Sequence, residues 1–323
     1  MSIKILLIGK NGQVGAELEG FLPRVAQVVA LQRQELNLSE PDRIRQTIDR
    51  VRPQIIINAA AYTAVDKAET DEATARAVNA NAPAVIAESA KNIGACLVHY
   101  STDYVFDGLK DSPYNESDFP NPLNVYGKTK LAGEQAIRYT GVPHLIFRTA
   151  WVYATRGRNF LLRILRLASH RGELRIVSDQ FGAPTWCREI ARATTSIVER
   201  LAEHGKVVSS FSKVSGTYNM TAGGIGSWCD FAQAILDEAH KAPPNLQWLL
   251  AATDGSPLLA RCVVPITTAE YPTPARRPPY SVLSNALLAS TFGIQLLDWR
   301  EQLHSAFRAS RSLDSFSSSR RET

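Results

Sequence analysis

The glycine pattern near the N-terminus limits the fold of this chain more than any other feature. Gly9, Gly12 and Gly15 follow an apolar run at residues 3–8 and open a stretch, 13–22, with the pattern of a helix. An apolar run that ends in glycine is typical of a central parallel strand buried on both faces. The first glycine permits a tight turn, the second lets backbone approach a pyrophosphate, and the third lets helix and strand pack closely. The sequence therefore predicts a strand, a turn and a helix whose N-terminus binds the phosphates of a dinucleotide.

Strand and helix patterns then alternate along the first half of the chain. Further strands are predicted at 28–31, 55–58, 96–101 and 145–149. Helices are predicted from Ser39, as N-cap with Pro41 in the first turn, to about residue 51, over 73–91, and around Tyr126. Such alternation predicts an α/β fold, a Rossmann-type doubly wound parallel sheet with helices on both faces.

The second half has a less regular pattern. Helices are predicted over 159–169, 188–204 and 231–240, strands over 174–177 and 217–221, and loops over 207–214 and the proline-rich 271–278. We predict a dinucleotide-binding domain at 1–150 and a smaller C-terminal substrate-binding lobe at 151–307, partly interleaved with the sheet. The Ser/Arg-rich segment 308–323 is predicted to be a disordered tail.

Composition narrows the class of protein. The chain has 323 residues, is 45% hydrophobic and has a net charge of +5. No apolar run approaches the roughly 20 residues that cross a bilayer, and the mild charge without aromatic–basic patterning argues against nucleic-acid binding. The scattered cysteines, without metal-type spacing, predict free buried thiols in a reducing cytoplasm; they are Cys96, Cys187, Cys229 and Cys262.

Three polar residues form the candidate catalytic group. Tyr126 and Lys130 are four residues apart and therefore share a helix face, with Cβ atoms about 5–6 Å apart. A nearby ammonium is expected to lower the pKa of the phenol and so improve proton exchange. Thr102 follows the fourth predicted strand, where its hydroxyl can bind a substrate carbonyl. A Tyr-x-x-x-Lys pair alone is also common on helix surfaces, so the prediction depends on all three together with the glycine turn.

The end of the second strand bears on the choice of cofactor. Sites selective for NAD usually have an acid there, which binds the ribose 2′-hydroxyl. Here the strand ends ALQR, and Arg33 could face a 2′-phosphate. The sequence thus predicts a preference for NADPH over NADH, the alternative being that Arg33 is an ordinary solvated side chain.

Seven segments together resemble the extended short-chain dehydrogenase/reductases, and within them the reductases of dTDP-linked 4-keto-6-deoxyhexoses. They are GKNGQVG (9–15), NAAAYTAVDKAE (58–69), HYSTDYVF (99–106), NVYGKTKLAGE (124–134), FRTAWVY (147–153), DQFGAPT (179–185) and YPTPARRP (271–278). The resemblance implies hydride transfer from NADPH or NADH to the C4 ketone, with Tyr126 as proton donor and Thr102 and Lys130 completing a triad.

The resemblance also implies site residues. Cofactor contacts are expected from the glycine turn, Arg33 and the triad residues Tyr126 and Lys130, and further from Gln13, Val14, Asn37, Leu38, Ala61, Tyr62, Thr63 and Tyr100. Substrate contacts are expected from Thr102, Asp103, Trp151, Arg276 and Arg277, although one arginine could only brace its loop and Trp151 could be core packing. Some members bind Mg²⁺ at a homodimer interface, and the matching acids, each of which could equally be a surface acid, are Glu17, Glu189 and Asp298.

Two alternatives stay open at this level. An NDP-sugar epimerase or dehydratase of the same superfamily has a similar site, but the Asp-Glu pair of dehydratases is missing after Thr102. A non-catalytic regulatory subunit with this fold would keep the dinucleotide site and act as a binding module.

Overall fold

The structure, a computed structural model, describes residues 3–309. Its strands are β1 (Lys4–Ile8), β2 (Gln27–Leu31), β3 (Ile55–Asn58), β4 (Cys96–Thr102), β5 (His144–Thr149), β6 (Val152–Tyr153), β7 (Glu173–Val177), β8 (Phe181–Gly182), β9 (Thr185–Trp186), β10 (Gly216–Asn219), β11 (Gly226–Ser227) and β12 (Cys262–Ile266). Its α-helices are α1 (Gln13–Phe21), α2 (Pro41–Val51), α3 (Val65–Ala68), α4 (Glu72–Arg76), α5 (Ala82–Ile93), α6 (Val125–Thr140), α7 (Phe160–Ala168), α8 (Cys187–Ala202), α9 (Val207–Lys213), α10 (Trp228–Lys241), α11 (Gln247–Ala252), α12 (Ala286–Phe292) and α13 (Trp299–Arg308).

A six-stranded parallel sheet organises the chain. Its strand order is β10-β5-β4-β3-β1-β2, and every neighbouring pair is parallel. The chain leaves β1 toward β2 on one side and later returns to β3 on the other. In open α/β sheets a ligand crevice forms at such a reversal, outside the carboxyl ends of the strands. The predicted fold class is confirmed by this sheet.

Alternating residues of the strands fill two different cores. Ile5 and Leu7 of β1 pack on the face covered by α1 and α8, whereas Leu6 and Ile8 pack on the face covered by α2, α5 and α6. Successive side chains of a strand point to opposite faces, so a run that is apolar at every position must be covered twice. This is why four of the five runs identified in the sequence form the buried strands β1, β3, β4 and β5, whereas the run of β2 forms a partly buried edge strand.

The C-terminal lobe has a core of its own. Helices α7, α10 and α13 pack together with the β7–β12 pair, around side chains such as Phe231, Leu236 and Trp299. The lobe is not separate from the sheet, since β10 pairs with β5 and forms its edge. None of the helices between residues 3 and 309 combines the length and apolar character needed to cross a bilayer.

Several local predictions were wrong. Helix α2 begins at Pro41 with Glu40, not Ser39, as N-cap, and Ser39 belongs to the preceding turn, where its backbone N–H bonds to Asn37 Oδ1. Residues 207–213 form helix α9 rather than a loop, with Val207 and Phe211 packed into the core. The sequence pattern also missed α11, α12, α13 and β12.

Two further predictions are qualified by the structure. Cys96 and Cys187 are buried as predicted, but Cys229 is only partly buried and Cys262 is exposed. The predicted tail falls outside the described residues from 310 onward, whereas Arg308 is the last residue of α13.

Candidate active site

One cleft of about 700 Å³ gathers most of the predicted site residues at the carboxyl ends of the central strands. The predicted residues that line it are Gly9, Gly12, Gln13, Val14, Arg33, Asn37, Leu38, Ala61, Tyr62, Thr63, Tyr100, Thr102, Asp103, Tyr126, Lys130 and Trp151. The sequence therefore identified residues from six different segments, 9–14, 33–38, 61–63, 100–103, 126–130 and residue 151, that the fold brings to one place. Gly15, the two arginines of the 271–278 loop and the three predicted metal ligands lie outside its lining.

The glycine turn is shaped by close packing. Gly9 has φ +91°, and a Cβ there would lie 2.8 Å from the backbone nitrogen of Ala60. A Cβ on Gly15 would lie 2.1 Å from the carbonyl oxygen of Gly9. Gly12 is the N-cap of α1, whose first turn contains no acidic side chain. The backbone N–H groups and the positive end of the helix dipole thus face the cleft without a competing carboxylate, which suits a pyrophosphate.

The end of β2 contains an acid that the sequence argument overlooked. Glu35 lies four residues past the strand, accepts a hydrogen bond from the Gln32 N–H at 2.9 Å and pairs with Lys10 at 3.1 Å. Arg33 is exposed at the rim of the same cleft. The acid after β2 is therefore already paired with an ammonium, whereas Arg33 lines the cleft.

Thr102 and Asp103 lie beside Tyr126. Thr102 is the last residue of β4, and its Oγ1 donates to Asp103 Oδ1 at 2.9 Å and accepts from the Tyr104 N–H at 3.1 Å. Burial raises the pKa of Asp103 to about 6, although hydrogen bonds from Ser281 and Thr102 oppose the shift. The carboxyl lines the cleft while being only 2% exposed.

The pKa of Tyr126 moves opposite to the expected direction. Burial raises it to about 12, with the Thr102 hydroxyl lowering it and the charge of Asp103 raising it further. Lys130 does not offset this because its amine donates to the Tyr100 carbonyl oxygen at 2.6 Å and lies 3.3 Å from His99 Nε2. The prediction that a neighbouring ammonium makes the phenol more acidic was wrong for the protein alone.

Burial also shifts the pKa of Lys130. Lys130 is 1% exposed, and burial lowers its pKa to about 8, while the carboxylate of Glu134 one turn later raises it. Glu134 itself accepts from Ser101 Oγ at 2.5 Å and from Arg148 Nε and Nη2 at 3.0 and 2.7 Å. The ion pair of Glu134 and Arg148 was not predicted from the sequence, where its only signal is that each charge lies within an apolar pattern.

Trp151 is held in an unusual conformation. Its φ is +48°, uncommon for a residue other than glycine, and its indole stacks on Trp228 with ring centroids 3.5 Å apart. A Cβ on Gly182 would lie 2.5 Å from that indole. Phe160 lies beside Trp228, and both line the cleft. The two aromatic residues were not predicted, because Trp228 is 77 residues from Trp151 in the chain.

The arginine loop braces the cleft from outside. Arg277 pairs with Asp66 at 2.9 Å, and Asp66 also accepts from the Ala275 N–H. Arg276 is exposed, while its carbonyl oxygen accepts from Asn124, the N-cap of α6. The side chain of Arg277 therefore holds its own loop, and the loop holds the start of the helix that carries Tyr126.

The predicted metal ligands are engaged elsewhere. Glu17 is 8% exposed and pairs with Arg188 at 3.2 Å, and burial raises its pKa. Glu189 pairs with Arg192, and Asp298 caps α13. In the part of the chain that the structure describes, no three His, Cys, Asp or Glu side chains are grouped to hold a metal ion.

The fold and this cleft define a nicotinamide-dependent oxidoreductase of the short-chain dehydrogenase/reductase type. The family model described as RmlD substrate binding domain matches residues 3–312. A dTDP-4-dehydrorhamnose reductase from Burkholderia thailandensis is 48% identical over 298 residues, covering 92% of this chain and 96% of that relative. The chain therefore belongs to the dTDP-4-dehydrorhamnose reductase family.

Solved structures agree. A dTDP-4-dehydrorhamnose reductase from Clostridium acetobutylicum has a TM-score of 0.83 and 35% identity, covering 95% of this chain and 99% of that one. The enzyme from Bacillus anthracis, solved in complex with NADP, has a TM-score of 0.82 and 31% identity at the same coverage. The recognised family and the fold class are thereby confirmed.

Proposed function

We propose that this protein reduces the C4 keto group of dTDP-4-dehydro-6-deoxy-L-mannose to give dTDP-L-rhamnose, the last step of dTDP-rhamnose biosynthesis. The observation that carries the proposal is the cleft that Thr102, Tyr126 and Lys130 line together with the glycine turn. Membership of the family supports the same reaction.

The residues present fit a dinucleotide. The glycine turn and the N-terminus of α1 would hold the pyrophosphate, and Gln13 lines the cleft there with a buried Oε1 that lacks a hydrogen-bond partner among the described residues. A reduced nicotinamide supplies the hydride when bound.

Tyr126 is suited to deliver a proton. Its raised pKa keeps the phenol protonated at neutral pH, so the proton is retained until a strongly basic oxyanion develops. In the proposed step the phenol O–H bond breaks and an O–H bond forms at the sugar oxygen. Thr102, fixed by Asp103 and the Tyr104 N–H, positions a hydroxyl beside that oxygen.

The decisive experiment is turnover with NADPH and the 4-keto sugar nucleotide, followed by NADPH absorbance. Tyr126→Phe is expected to lower kcat by at least ~10² while leaving cofactor affinity unchanged, because only the proton donor is lost. Tyr139→Phe is the matched control, since Tyr139 lies on the same helix and is 93% exposed. Near-normal turnover of Tyr126→Phe would contradict the mechanism, and tight binding of a partner enzyme without turnover would favour the regulatory-subunit alternative.

The preference for NADPH is a second part of the proposal. Glu35 is paired with Lys10, so Arg33 is the group available to a 2′-phosphate at the rim. Arg33→Gln is expected to lower kcat/KM for NADPH about 10- to 100-fold and to leave kcat/KM for NADH nearly unchanged. Equal losses with both cofactors would show that Arg33 does not select between them.

The homodimer, the Mg²⁺ site and the cytoplasmic location stay predictions. Within residues 3–309 no three His, Cys, Asp or Glu side chains are grouped to hold a metal ion. Glu189 lies at a second cleft of about 580 Å³ between α1 and α8, next to Arg188 and Arg192. Sedimentation with Mg²⁺ and with EDTA should show a dimer that depends on the metal; a metal-independent monomer would refute both.

A further inference from the structure

Two buried polar side chains behind the catalytic lysine take no part in the chemistry above. His99 of β4 is 1% exposed and Asn58 of β3 is 0% exposed. The His99 ring lies between the other two side chains, with Nε2 3.3 Å from Lys130 Nζ and Nδ1 3.2 Å from Asn58 Nδ2. Buried polar groups of this kind are retained only where each finds a partner.

The orientation of the asparagine decides which ring nitrogen carries the proton. The Ala60 N–H donates to Asn58 Oδ1 at 3.2 Å, so the amide NH₂ faces the imidazole. An amide NH₂ only donates hydrogen bonds, and His99 Nδ1 must therefore be the unprotonated, accepting nitrogen. A neutral imidazole then carries its proton on Nε2, the atom that faces Lys130.

Burial favours the neutral form of the imidazole. Complete burial and the charge of Lys130 both lower the pKa of His99 well below its ordinary value. An ammonium offers only donors, whereas an uncharged amine has a lone pair that can accept the Nε2–H. The geometry thus disfavours the ammonium on this side, while the Tyr100 carbonyl oxygen accepts one N–H in either state.

We propose that His99, held in the Nε2–H tautomer by Asn58, is a positioning residue that donates a hydrogen bond to Lys130 and stabilises its uncharged amine. The titratable groups around that amine are His99 and Tyr100 on β4 and Tyr126 and Glu134 on α6. Glu134 acts in the opposite direction and is itself neutralised by Arg148 of β5. Burial and the hydrogen bond from His99 thus favour the uncharged amine of Lys130, while the charge of Glu134 favours the ammonium.

The proposal rests on the proposed function in one respect only, namely that Lys130 takes part in the reduction. Its test does not depend on turnover, so the two can fail separately. The first measurement is the tautomer of His99 in ¹⁵N-histidine-labelled wild-type protein, by long-range ¹H–¹⁵N correlation. The signals are assigned by their loss in His99→Gln. We expect a protonated Nε2 and an unprotonated Nδ1 throughout the range from about pH 5 to 8.

The second measurement is the pKa of Lys130 from ¹³Cε-lysine spectra, assigned with Lys130→Met. In His99→Gln the amide oxygen can turn toward the ammonium and accept from it, so the pKa should rise by about one unit, or about tenfold in the ionisation constant. Asn58→Asp should move the His99 proton to Nδ1, because a carboxylate accepts it, and this change is visible directly as an exchange of the two ¹⁵N signals.

The outcomes separate positioning from simple packing. A residue that only fills space would leave the Lys130 pKa unchanged in His99→Gln, and that result would overturn the proposal. A wild-type His99 with its proton on Nδ1 would overturn it as well, even if neither variant folds. A raised Lys130 pKa together with the Nε2–H tautomer would support it, and the alkaline limb of the kcat–pH profile should then shift upward by the same amount.

Discussion

Breaking the buried ion pair under the site should strongly destabilise the protein. Glu134 and Arg148 have side chains that are 0% and 1% exposed and are joined by two hydrogen bonds of 3.0 and 2.7 Å. Glu134→Gln removes the charge that neutralises a guanidinium held in a low-dielectric core. Loss of one partner of such a pair typically costs about 3–5 kcal/mol, which is a large part of the roughly 5–15 kcal/mol of a folded protein.

Replacing both members of the Glu134–Arg148 pair should have a much smaller effect on stability than replacing one. Two charges replaced together by apolar groups leave no buried charge unpaired, and this is often neutral or stabilising. Glu134→Leu combined with Arg148→Met should therefore be far more stable than Glu134→Leu or Arg148→Met alone. The strong coupling is the expected result of a double-mutant cycle.

Urea unfolding, checked for reversibility, measures the change in the free energy of unfolding. With a slope of about 3 kcal/mol per M, each single change should lower the midpoint by about 1–2 M. Asp254→Asn is the control, since the Arg166–Asp254 pair has side chains that are 70% and 65% exposed and should matter by less than about 1 kcal/mol. If the single variants unfolded like the control, or if the double variant lost the sum of the two, the reasoning about unpaired charge would be refuted.

Three further predictions follow from the cleft and its surroundings. Gly15→Ala should abolish dinucleotide binding in calorimetry, because the new Cβ would lie 2.1 Å from the Gly9 carbonyl oxygen, whereas Gly94→Ala, at φ +70° in open space, should retain binding. Asp103→Asn should stabilise the protein at pH 7 by up to about 3 kcal/mol. The pKa of Asp103 in the folded protein is about 6, above its ordinary value of 3.8, so the free energy of unfolding of the wild type falls as the pH rises between these two values. Denaturant midpoints of wild type and variant across that window should converge at acid pH, and parallel curves would contradict this. Asp66→Asn should weaken the loop that holds α6 and increase proteolysis within 271–278, with Asp42→Asn, on an exposed pair, as control.

Local apolar pattern was enough to predict the centre of the fold. Residues 55–58 are three isoleucines and an asparagine, all buried, and no other regular structure accommodates such a short run between a proline and a loop. The glycine turn and the Tyr126 helix were predicted equally well because the residues that indicate each of them lie close together in the sequence. Helix α13 was missed although its buried residues Trp299, Leu303, Ala306 and Phe307 recur at helical spacing and Asp298 is its N-cap, so its signal was present in the sequence.

The parts of the site that could not be predicted depend on contacts across the chain. Asp66 and Arg277 are 211 residues apart, and nothing near either residue indicates the other. The direction of the Tyr126 pKa shift depends on how deeply the phenol is buried, and the Tyr-x-x-x-Lys spacing does not predict that burial. The π-helical turn Ala77–Asn81, inside what the sequence predicts as one continuous helix, places Asn79 against Tyr62 and Thr129 and is equally a product of packing.

Pairing between β10 and β5 has a consequence for any attempt to cut the gene. A fragment that stops at residue 150 would present the bare edge of β5, with its backbone donors and acceptors open to another copy. Two coexpressed fragments, divided after residue 150, should instead associate through pairing of β10 with β5 and reconstitute one molecule. The position after residue 150 is therefore a suitable site for a split reporter.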